Sequence, residues 1–580
     1  MSRQARSWII AWATGQGLGL WLLHEWILKL AIPQQYFSVI WALYALVITL
    51  PLSFMLLPAY RQQRRLWGMA LAYSLLMAGA AAYSGYQAWM SGIPYHQTWE
   101  LGFILGCITF SSWFVLLPFA EHGLCKGQWF SDYAFLFSAA WRNWVKLMLA
   151  GLFAGLFWVL LFLLAGLFKV LHVNFLMDLI SSRIFAYPVT AITFGIGLSL
   201  YAAKEDALVG IYRASLDILG WLLPEVSFIL ILFLLALPFQ GLALLWKTGY
   251  ATSLMLCLLA WTIFLFNAAW QDATREERFP RWLRRFIGLG LLTMPVYILL
   301  CAYSLGLRVT QYGWTIDRVW AALAILIMAI YALGYAWVVL RRNAVWMLQA
   351  RQVNIVAALF AVTLLILTLT PILDPVRLAV HSQVSRLLDG RTSVSDFDFE
   401  YLRLEGRRYG NQVLQELARN TTHEHAVLIR QKAEDAMKVT YRTFKPQGPE
   451  PLTHAQLQEQ LTPYPHTVAL DPAFVDFLLE QRNSGKLYLN CSTSKPCPVL
   501  VLDMNDDGEQ ELVVLSGYSS HVFQRTQGVW KVAGRLTGKD MDALGATKIQ
   551  RELDALDFSA KPNAWRDLWI GNMKYQVEER

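Results

Sequence analysis

Charge is what this sequence has least of. Asp, Glu, Lys and Arg make up 16% of its 580 residues, against 56% hydrophobic and 14% aromatic. A water-soluble chain carries roughly a quarter charged residues, so a wholly soluble protein is excluded. The shortage is confined to one part of the chain. Residues 1–373 hold 24 Lys+Arg and 13 Asp+Glu, whereas residues 374–580 hold 25 and 28. The basic excess thus belongs to the apolar part, and the remainder is slightly acidic. A nucleic-acid partner is excluded on that ground, because it needs basic residues clustered on a soluble face. Catalytic signatures are missing too. There is no GxSxG, HExxH, Walker loop or paired CxxC, so the chemistry those motifs carry is not indicated. No small-x-small cleavage site precedes the polar pair His24-Glu25, and the first apolar stretch is expected to stay as an uncleaved helix.

What is present is a series of long apolar runs. Eleven stretches have about 20 or more mostly apolar residues, enough to cross a bilayer. They are Ser7–Ala31, Tyr36–Leu57, Leu66–Met90, Trp99–Ala120, Trp144–Leu171, Ile184–Ala203, Trp221–Leu245, Tyr250–Trp270, Trp282–Leu305, Trp320–Leu340 and Val353–Leu373. The first and sixth are the weakest. With the N-terminus placed in the cytoplasm, the inside segments hold 18 Lys+Arg and the outside segments six. That asymmetry predicts a cytoplasmic N-terminus. Eleven crossings would then place everything after residue 373 outside, in the periplasm of a Gram-negative cell whose inner membrane holds the protein. The expected fold is an α-helical polytopic membrane bundle of about eleven transmembrane helices, followed by a soluble α+β domain with a small antiparallel sheet. The expected divisions are residues 1–373 for the membrane part, 374–445 for a helical extracytoplasmic segment, 446–465 for a proline-rich linker and 466–580 for the α+β domain.

Details follow from residue type. Glu121–Asn143 and Lys204–Gly220 mix charge with apolar residues at helical spacing, as helices lying along the inner interface do. Gly15/Gly19 and Gly151/Gly155 form GxxxG pairs, which predict close helix packing within the chain or, more sharply, a homodimer seam. Past residue 373, helices are expected over Asp374–Leu388, Asn411–Arg419, a stretch capped by Thr421 and Glu424, Pro472–Gln481 and Lys539–Leu556. Strands are expected over Lys486–Leu489, Val499–Leu502, Glu511–Leu515, Val522–Arg525 and Val529–Ala533, with a last strand or hairpin over Leu568–Val577.

Two local motifs carry chemistry. Asp503, Asn505 and Asp507 followed by Gly508 reproduce the first half of a calcium loop. The twelfth position, 514, is valine, so Glu511 would have to close the site, with Glu509 beside it. Strands flank the loop, as in the strand–loop–strand calcium hairpin of FG-GAP-type repeats. Calcium is the expected cofactor, and a plain Asn/Asp/Gly turn is the alternative. Cys491 and Cys497, six residues apart in an exported segment, are expected to form a disulfide. His423 and His425 could ligate a metal but more often are solvated. Ionisable residues within or near the spans are His24, Glu25, Glu100, Asp178 and Glu225, all near span ends; Asn267 and Gln240 could join helices.

The stretch LTPILDPVRLAVHSQVSRLLDGRTSVSDFDFEYLRLEGRRYGNQVLQEL resembles a bacterial family of polytopic membrane proteins known as domain of unknown function 4153 (DUF4153). The matching features are Leu373–Pro375, Arg377, Gln383, Phe397–Phe399 and Gly410. The resemblance implies an inner-membrane protein and brings no reaction with it. The expected function is an envelope sensor, scaffold or assembly factor whose external domain binds calcium or an envelope protein partner. A transporter is one alternative. A membrane enzyme acting on lipid-linked envelope substrates, with Asp396 and Asp398 as an acid–base pair, is another.

Overall fold

The computed structural model describes residues 2–30, 34–91, 99–127, 132–201, 205–241, 250–271, 279–341, 347–419, 424–439, 452–483, 487, 489, 491–492, 496–516, 520–536, 553, 555, 568–570 and 573–575. The chain divides into two compact units, Met1–Arg442 and Thr443–Arg580.

The first unit is helical. In chain order it contains α1 (Arg3–Leu30), α2 (Phe37–Leu56), α3 (Arg64–Met90), α4 (Trp99–Lys126), α5 (Tyr133–Val170), α6 (Phe175–Ser181), α7 (Arg183–Tyr201), α8 (Glu205–Gly220), α9 (Leu223–Gln240), α10 (Ala251–Trp270), α11 (Arg281–Tyr312), α12 (Ile316–Leu340), α13 (Ala350–Thr368), α14 (Pro375–Leu388), α15 (Phe399–Leu404), α16 (Arg407–Arg419) and α17 (Ala426–Lys438). Among the described residues, ten segments are long and apolar enough to cross a membrane. They coincide with ten of the eleven expected spans. The eleventh is α1, whose apolar run is diluted by Thr14, Gln16, His24 and Glu25. It nevertheless runs antiparallel to α2 over its length. Trp8 Nε1 donates to Phe54 O, Gln16 Nε2 to Ile48 O, and His24 Nδ1 lies 3.2 Å from Tyr44 Oη. Helix α1 therefore traverses the bundle as the spans do.

The outward faces stay apolar, as hydrocarbon contact requires. On α5, Leu160, Leu163 and Leu167 are each more than 60% exposed. Two interior cores hold the bundle. One gathers Ile9, Phe54, Leu66 and Trp113 from α1–α4, and the other Phe266, Tyr297 and Tyr335 from α10–α12.

Two local expectations are corrected. Residues Glu121–Asn143 do not make a separate interfacial helix, because α4 continues to Lys126 and α5 starts at Tyr133. Arg142 pairs with Glu121 across the two helices, which lets both charges stay in the packed region. Helix α5, at 38 residues, is roughly 57 Å long and outreaches a hydrocarbon core of about 30 Å. Of the GxxxG glycines, Gly19 packs closely on α2, where a methyl would fall 3.2 Å from Val47 Cγ1, and the other three do not. A methyl at Gly15, Gly151 or Gly155 would meet nothing within 4 Å. Closer approaches between α1 and α7 are at Gly17, where a methyl would fall 2.7 Å from Pro188 Cα, and at Gly195, 2.5 Å from Ala13 Cβ. Spacing marks a stripe of small residues; which stripe faces a neighbour is set by the packing of α1 on α7. By contrast, α8 forms as expected and buries Leu208, Tyr212 and Leu216 against Phe137, Val145 and Ala268.

At the end of the bundle where α5 begins, four helices meet in a neutral polar node. Asn354 Nδ2 donates to Asn267 Oδ1 (2.6 Å) and to Tyr133 Oη (2.8 Å), Tyr335 Oη donates to Asn354 Oδ1 (2.6 Å), and Asn267 Nδ2 donates to Tyr335 Oη (2.9 Å). Asn267 thus joins helices as expected, while the side chain of Gln240 lies outside the described residues.

The second unit carries α18 (His454–Gln458), β1 (Leu461–Tyr464), α19 (Pro472–Asn483), β2 (Cys497–Leu502), β3 (Glu511–Val514), β4 (His521–Thr526), β5 (Val529–Arg535), and a hairpin of β6 (Leu568–Ile570) with β7 (Met573–Tyr575). A five-stranded sheet runs β1-β2-β3-β4-β5. It is mixed rather than antiparallel, because β1 pairs with β2 in parallel. The stretch expected as a linker thus supplies α18, closed by a Thr453–Gln456 capping box, and an edge strand. Parallel pairing needs a crossover, which α19 provides, and a four-residue strand leaves too little alternation to be seen in sequence. Phe474 of α19 packs edge-on against Phe523 and Trp530 of the sheet. Cys491 is disulfide-bonded to Cys497 at the start of β2. The strand expected over Lys486–Leu489 and the helix over Lys539–Leu556 fall mostly outside the described residues.

Candidate functional site

The four helices after the last span form a cap on the first unit. Their starts are written in the sequence. Asp374 is the N-cap of α14 with Pro375 at the first helical position, and its Oδ1 accepts from Val376 N at 2.9 Å, the arrangement expected where proline opens a helix. Asp398 caps α15 by accepting from Tyr401 N at 2.9 Å. Asp396 accepts from Ser393 Oγ at 2.7 Å. Both aspartates flagged as an acid–base pair thus serve turns and caps. Gly410 lies so close under α15 that a methyl there would fall 1.8 Å from Leu402 O. Buried Val380, Phe397, Phe399, Leu402, Leu414 and Ile429 fill the cap's core. Thr421 and His423 lie outside the described residues; α17 begins after His425, whose side chain makes no capping bond.

The cap is stitched to helix ends of the bundle. Arg403 Nη1 donates to Ser91 O at 3.0 Å, and Asn411 Nδ2 donates to Met90 O at 3.1 Å and to Ser91 O. Those carbonyls close α3. Gln383 Nε2 donates to Tyr312 O (3.0 Å) and Trp314 O (2.7 Å), and Arg386 donates to Thr310 O (3.1 Å) and Gln311 O (2.6 Å). Those carbonyls close α11. The last carbonyls of a helix have no partner within it and carry partial negative charge, so donors and cations are favoured there. The ends of α3 and α11 and the beginning of α12 therefore lie on one side of the bundle, here termed the cap end.

Asp374 is the hub of this seam. It is 4% exposed, and its Oδ2 accepts from Tyr83 Oη at 2.6 Å and from Gln87 Nε2 at 3.1 Å. Tyr83 in turn lies 2.8 Å from Tyr409 Oη. A buried carboxylate is tolerated when its oxygens are hydrogen-bonded in this way.

Beside the seam is a cavity of about 710 Å³. Its walls come from Glu100–Ser111 of α4, Ile316–Trp320 of α12, Leu365 of α13 and Leu404–Arg407 at the α15–α16 turn. One end is ionic, with Glu100, Asp317, Glu405 and Arg407. The rest is apolar, with Phe103, Ile104, Ile108, Trp320 and Leu365. Arg407 sits in a left-handed backbone conformation at φ 49°, which is uncommon for any residue but glycine. Burial lowers its guanidinium below the usual range, against the pull of Asp374, Glu100 and Tyr83. Its side chain is deep in the molecule yet reached by solvent through the cavity. Among the described residues Arg407, Glu100 and Asp317 make no hydrogen bond. Burial also pushes the neighbouring Tyr401 phenol up to about 12, so its hydroxyl stays protonated while accepting from Ile316 N at 3.2 Å.

The other sequence-marked residues are scattered. Glu25 lies 3.8 Å from Arg183. Asp178 and Glu225 stand in the first turns of α6 and α9, where negative charge suits the helix dipole. Of the flagged ionisable residues, Glu100 is the one at the cavity. Asp317, Glu405 and Arg407 carried no local signal, since they come from separate helices.

The hairpin joining β2 to β3 is built differently. Asp503 Oδ2 accepts from Gly508 N (2.9 Å), Asp503 Oδ1 from Asn505 N (3.2 Å), Asn505 Oδ1 from Asp507 N (3.1 Å) and Asp507 Oδ1 from Glu509 N (2.8 Å). Glu511 is buried and its Oε2 accepts from Met504 N at 2.7 Å. Gly508 supplies a φ of 84°. The main-chain donors hold the Asp503 carboxyl below its usual range, Gly508 N most of all. Among the described residues no group of three or more His, Cys, Asp or Glu side chains could hold a metal ion; the loop oxygens accept from main-chain amides.

Alternating helices with apolar outward faces, closed at one end by a hydrogen-bonded cap, define a polytopic helical membrane protein. The chain belongs to the family described as Domain of unknown function (DUF4153), whose model matches residues 27–410. The matched stretch contains every residue of the cavity and ends before the hairpin and the disulfide. No curated protein and no solved structure matches the chain.

Proposed function

We propose that this protein is an envelope membrane protein that binds a membrane amphiphile in the capped cavity, and acts through that binding as a sensor, scaffold or assembly factor. The observation that carries the reading is the cavity's division into an ionic end and an apolar wall at one end of the spans. A volume of about 710 Å³ lies within the range of small-molecule sites, roughly 300–1,000 Å³. The 18-to-six asymmetry of Lys and Arg supports a periplasmic cap end in a bacterial inner membrane. Transport is less well supported. A route from the cavity to the opposite end would meet the node of Asn267, Asn354, Tyr133 and Tyr335, whose polar groups bond one another.

The test is retention of lipid by the purified full chain. Wild type in mild detergent is expected to carry near-stoichiometric lipid by native mass spectrometry. Cys107→Trp, which fills the cavity from its α4 wall, is expected to lose most of it with an unchanged circular dichroism spectrum. Equal lipid in the two proteins would overturn the reading.

Calcium at the hairpin is a separate proposal resting on the spacing of Asp503, Asn505, Asp507, Glu509 and Glu511, with Gly508 supplying the turn. An ion would have to draw the loop oxygens off their amides. Millimolar calcium is expected to raise the unfolding temperature of wild type by a few degrees, roughly the shift of 1 kcal/mol, and to leave Asp503→Asn unmoved. A flat response in wild type removes calcium from the account.

A further inference from the structure

The ionic end of the cavity has a composition that selects a headgroup. Among the described residues its lining holds one cation, Arg407, and three carboxylates, Glu100, Asp317 and Glu405. Arg407 is part-buried at the cavity wall, sits at φ 49°, and among the described residues its side chain makes no hydrogen bond. A planar guanidinium with unused donors is the side chain best matched to a phosphate diester, which it can grip through two parallel bonds. The surrounding carboxylates repel a headgroup that is anionic overall. They attract a cation placed a few ångströms from that phosphate. A primary ammonium offers three N–H donors to such acceptors. A quaternary ammonium offers none and is usually held by an aromatic cage; here Trp320 and Phe103 are the aromatic lining residues, on the apolar wall. The apolar wall accounts for an acyl chain.

We infer that the cavity is selective for a zwitterionic phospholipid with a primary-amine headgroup, its phosphate on Arg407 and its ammonium among Glu100, Asp317 and Glu405. This rests on the amphiphile reading above and adds the headgroup class. The site then discriminates by charge pattern, a difference of affinities built as much on repulsion as on attraction.

The experiment titrates delipidated full-length protein in detergent with phosphatidylethanolamine, phosphatidylcholine and phosphatidylglycerol of identical acyl chains, by displacement of a fluorescent lipid. The ethanolamine lipid is expected to bind about tenfold tighter than either other lipid, the effect of one good charge-assisted contact. Asp317→Asn, at an exposed helix start, is expected to shrink the preference over choline, weakening the ethanolamine lipid more than the choline lipid, since both ammoniums lose an attracting charge and only the primary one loses an acceptor. Arg407→Gln is expected to weaken ethanolamine and choline lipids together. Glycerophosphoethanolamine, the headgroup without acyl chains, is expected to compete more weakly than the diacyl lipid. Equal binding of ethanolamine and choline lipids, or a preference for the glycerol lipid, would overturn the headgroup assignment and leave the amphiphile reading standing. Equal competition by the free headgroup would overturn the assignment to a lipid. Binding of no lipid at all would overturn the amphiphile reading itself.

Discussion

Two acidic clusters in this protein look alike in composition and differ in what their oxygens do. At the hairpin, Asp503, Asn505, Asp507 and Glu511 accept from main-chain N–H groups of the same nine-residue stretch. At the cap end, among the described residues, the side chains of Glu100 and Asp317 make no hydrogen bond and face a cavity shared with an arginine. In the first cluster main-chain donors occupy the oxygens and shape a turn. The second is held apart by separate helices, so a bound molecule can satisfy it. Acidic residues therefore point to a ligand when the fold keeps them from reaching the nearest backbone.

That contrast can be broken from either side. The largest effect is expected from Gly410→Val. The added carbon would fall 1.8 Å from Leu402 O, and relief means lifting α16 off α15, at a cost on the order of 3 kcal/mol. Limited proteolysis should then cut the cap, and lipid retention should fall. Melting of the second unit, followed by the fluorescence of Trp530, should stay unchanged.

Next is Asp374→Ala. Removing the hub deprives Val376 N of its cap and takes the Asp374 acceptor from part-buried Tyr83 and buried Gln87. About 2 kcal/mol of cap stability should be lost, again read by protease sensitivity. A loss confined to a few tenths of a kcal/mol would mean that the seam does not hold the cap.

The smallest effect concerns a carboxylate of the second unit that is engaged but lies away from the hairpin. Trp530 Nε1 donates to Asp471 Oδ2 at 3.0 Å and Ala473 N to its Oδ1 at 3.0 Å. The indole contact is the larger of the two in holding this carboxyl below the usual range. A lowered folded value means the contribution is complete above the ordinary aspartate value, about 3.9, and is lost as pH falls through the folded one. Unfolding of the second unit should therefore turn acid-sensitive below about pH 4. Asp471→Asn should flatten that dependence. An identical acid profile in the variant would show that this contact does not matter to stability.

Much of the architecture could be read from local pattern. Apolar run length marked the spans, and α1, the weakest of them, still traverses the bundle beside α2. Asp374-Pro375 marked a helix start, and Cys491 and Cys497 marked a bridge. The misread parts share a cause. Strand β1 depends on a parallel partner that arrives after α19, so its four residues carry no pattern of their own. Of the GxxxG glycines Gly19 alone packs closely on a neighbour, and the closer approaches at Gly17 and Gly195 depend on how α1 leans on α7. In LEGRRYG, nothing distinguishes Arg407 from Arg408 until the Gly406–Gly410 turn sends one of them to the cavity.

By itself the sequence determined that this chain lives in a membrane, roughly where each helix begins, and which stretches could bend into turns or cross-link. These are properties of adjacent residues, set by hydropathy, capping chemistry and backbone preference. Tertiary structure alone decided that Glu100, Asp317, Glu405 and Arg407, drawn from positions more than 300 residues apart, line one end of a cavity, and that Asp374 is the hub joining the cap to α3 beside it. The reason is physical. A cavity is what packing leaves unfilled, so it follows from how distant surfaces meet and has no local pattern in the chain.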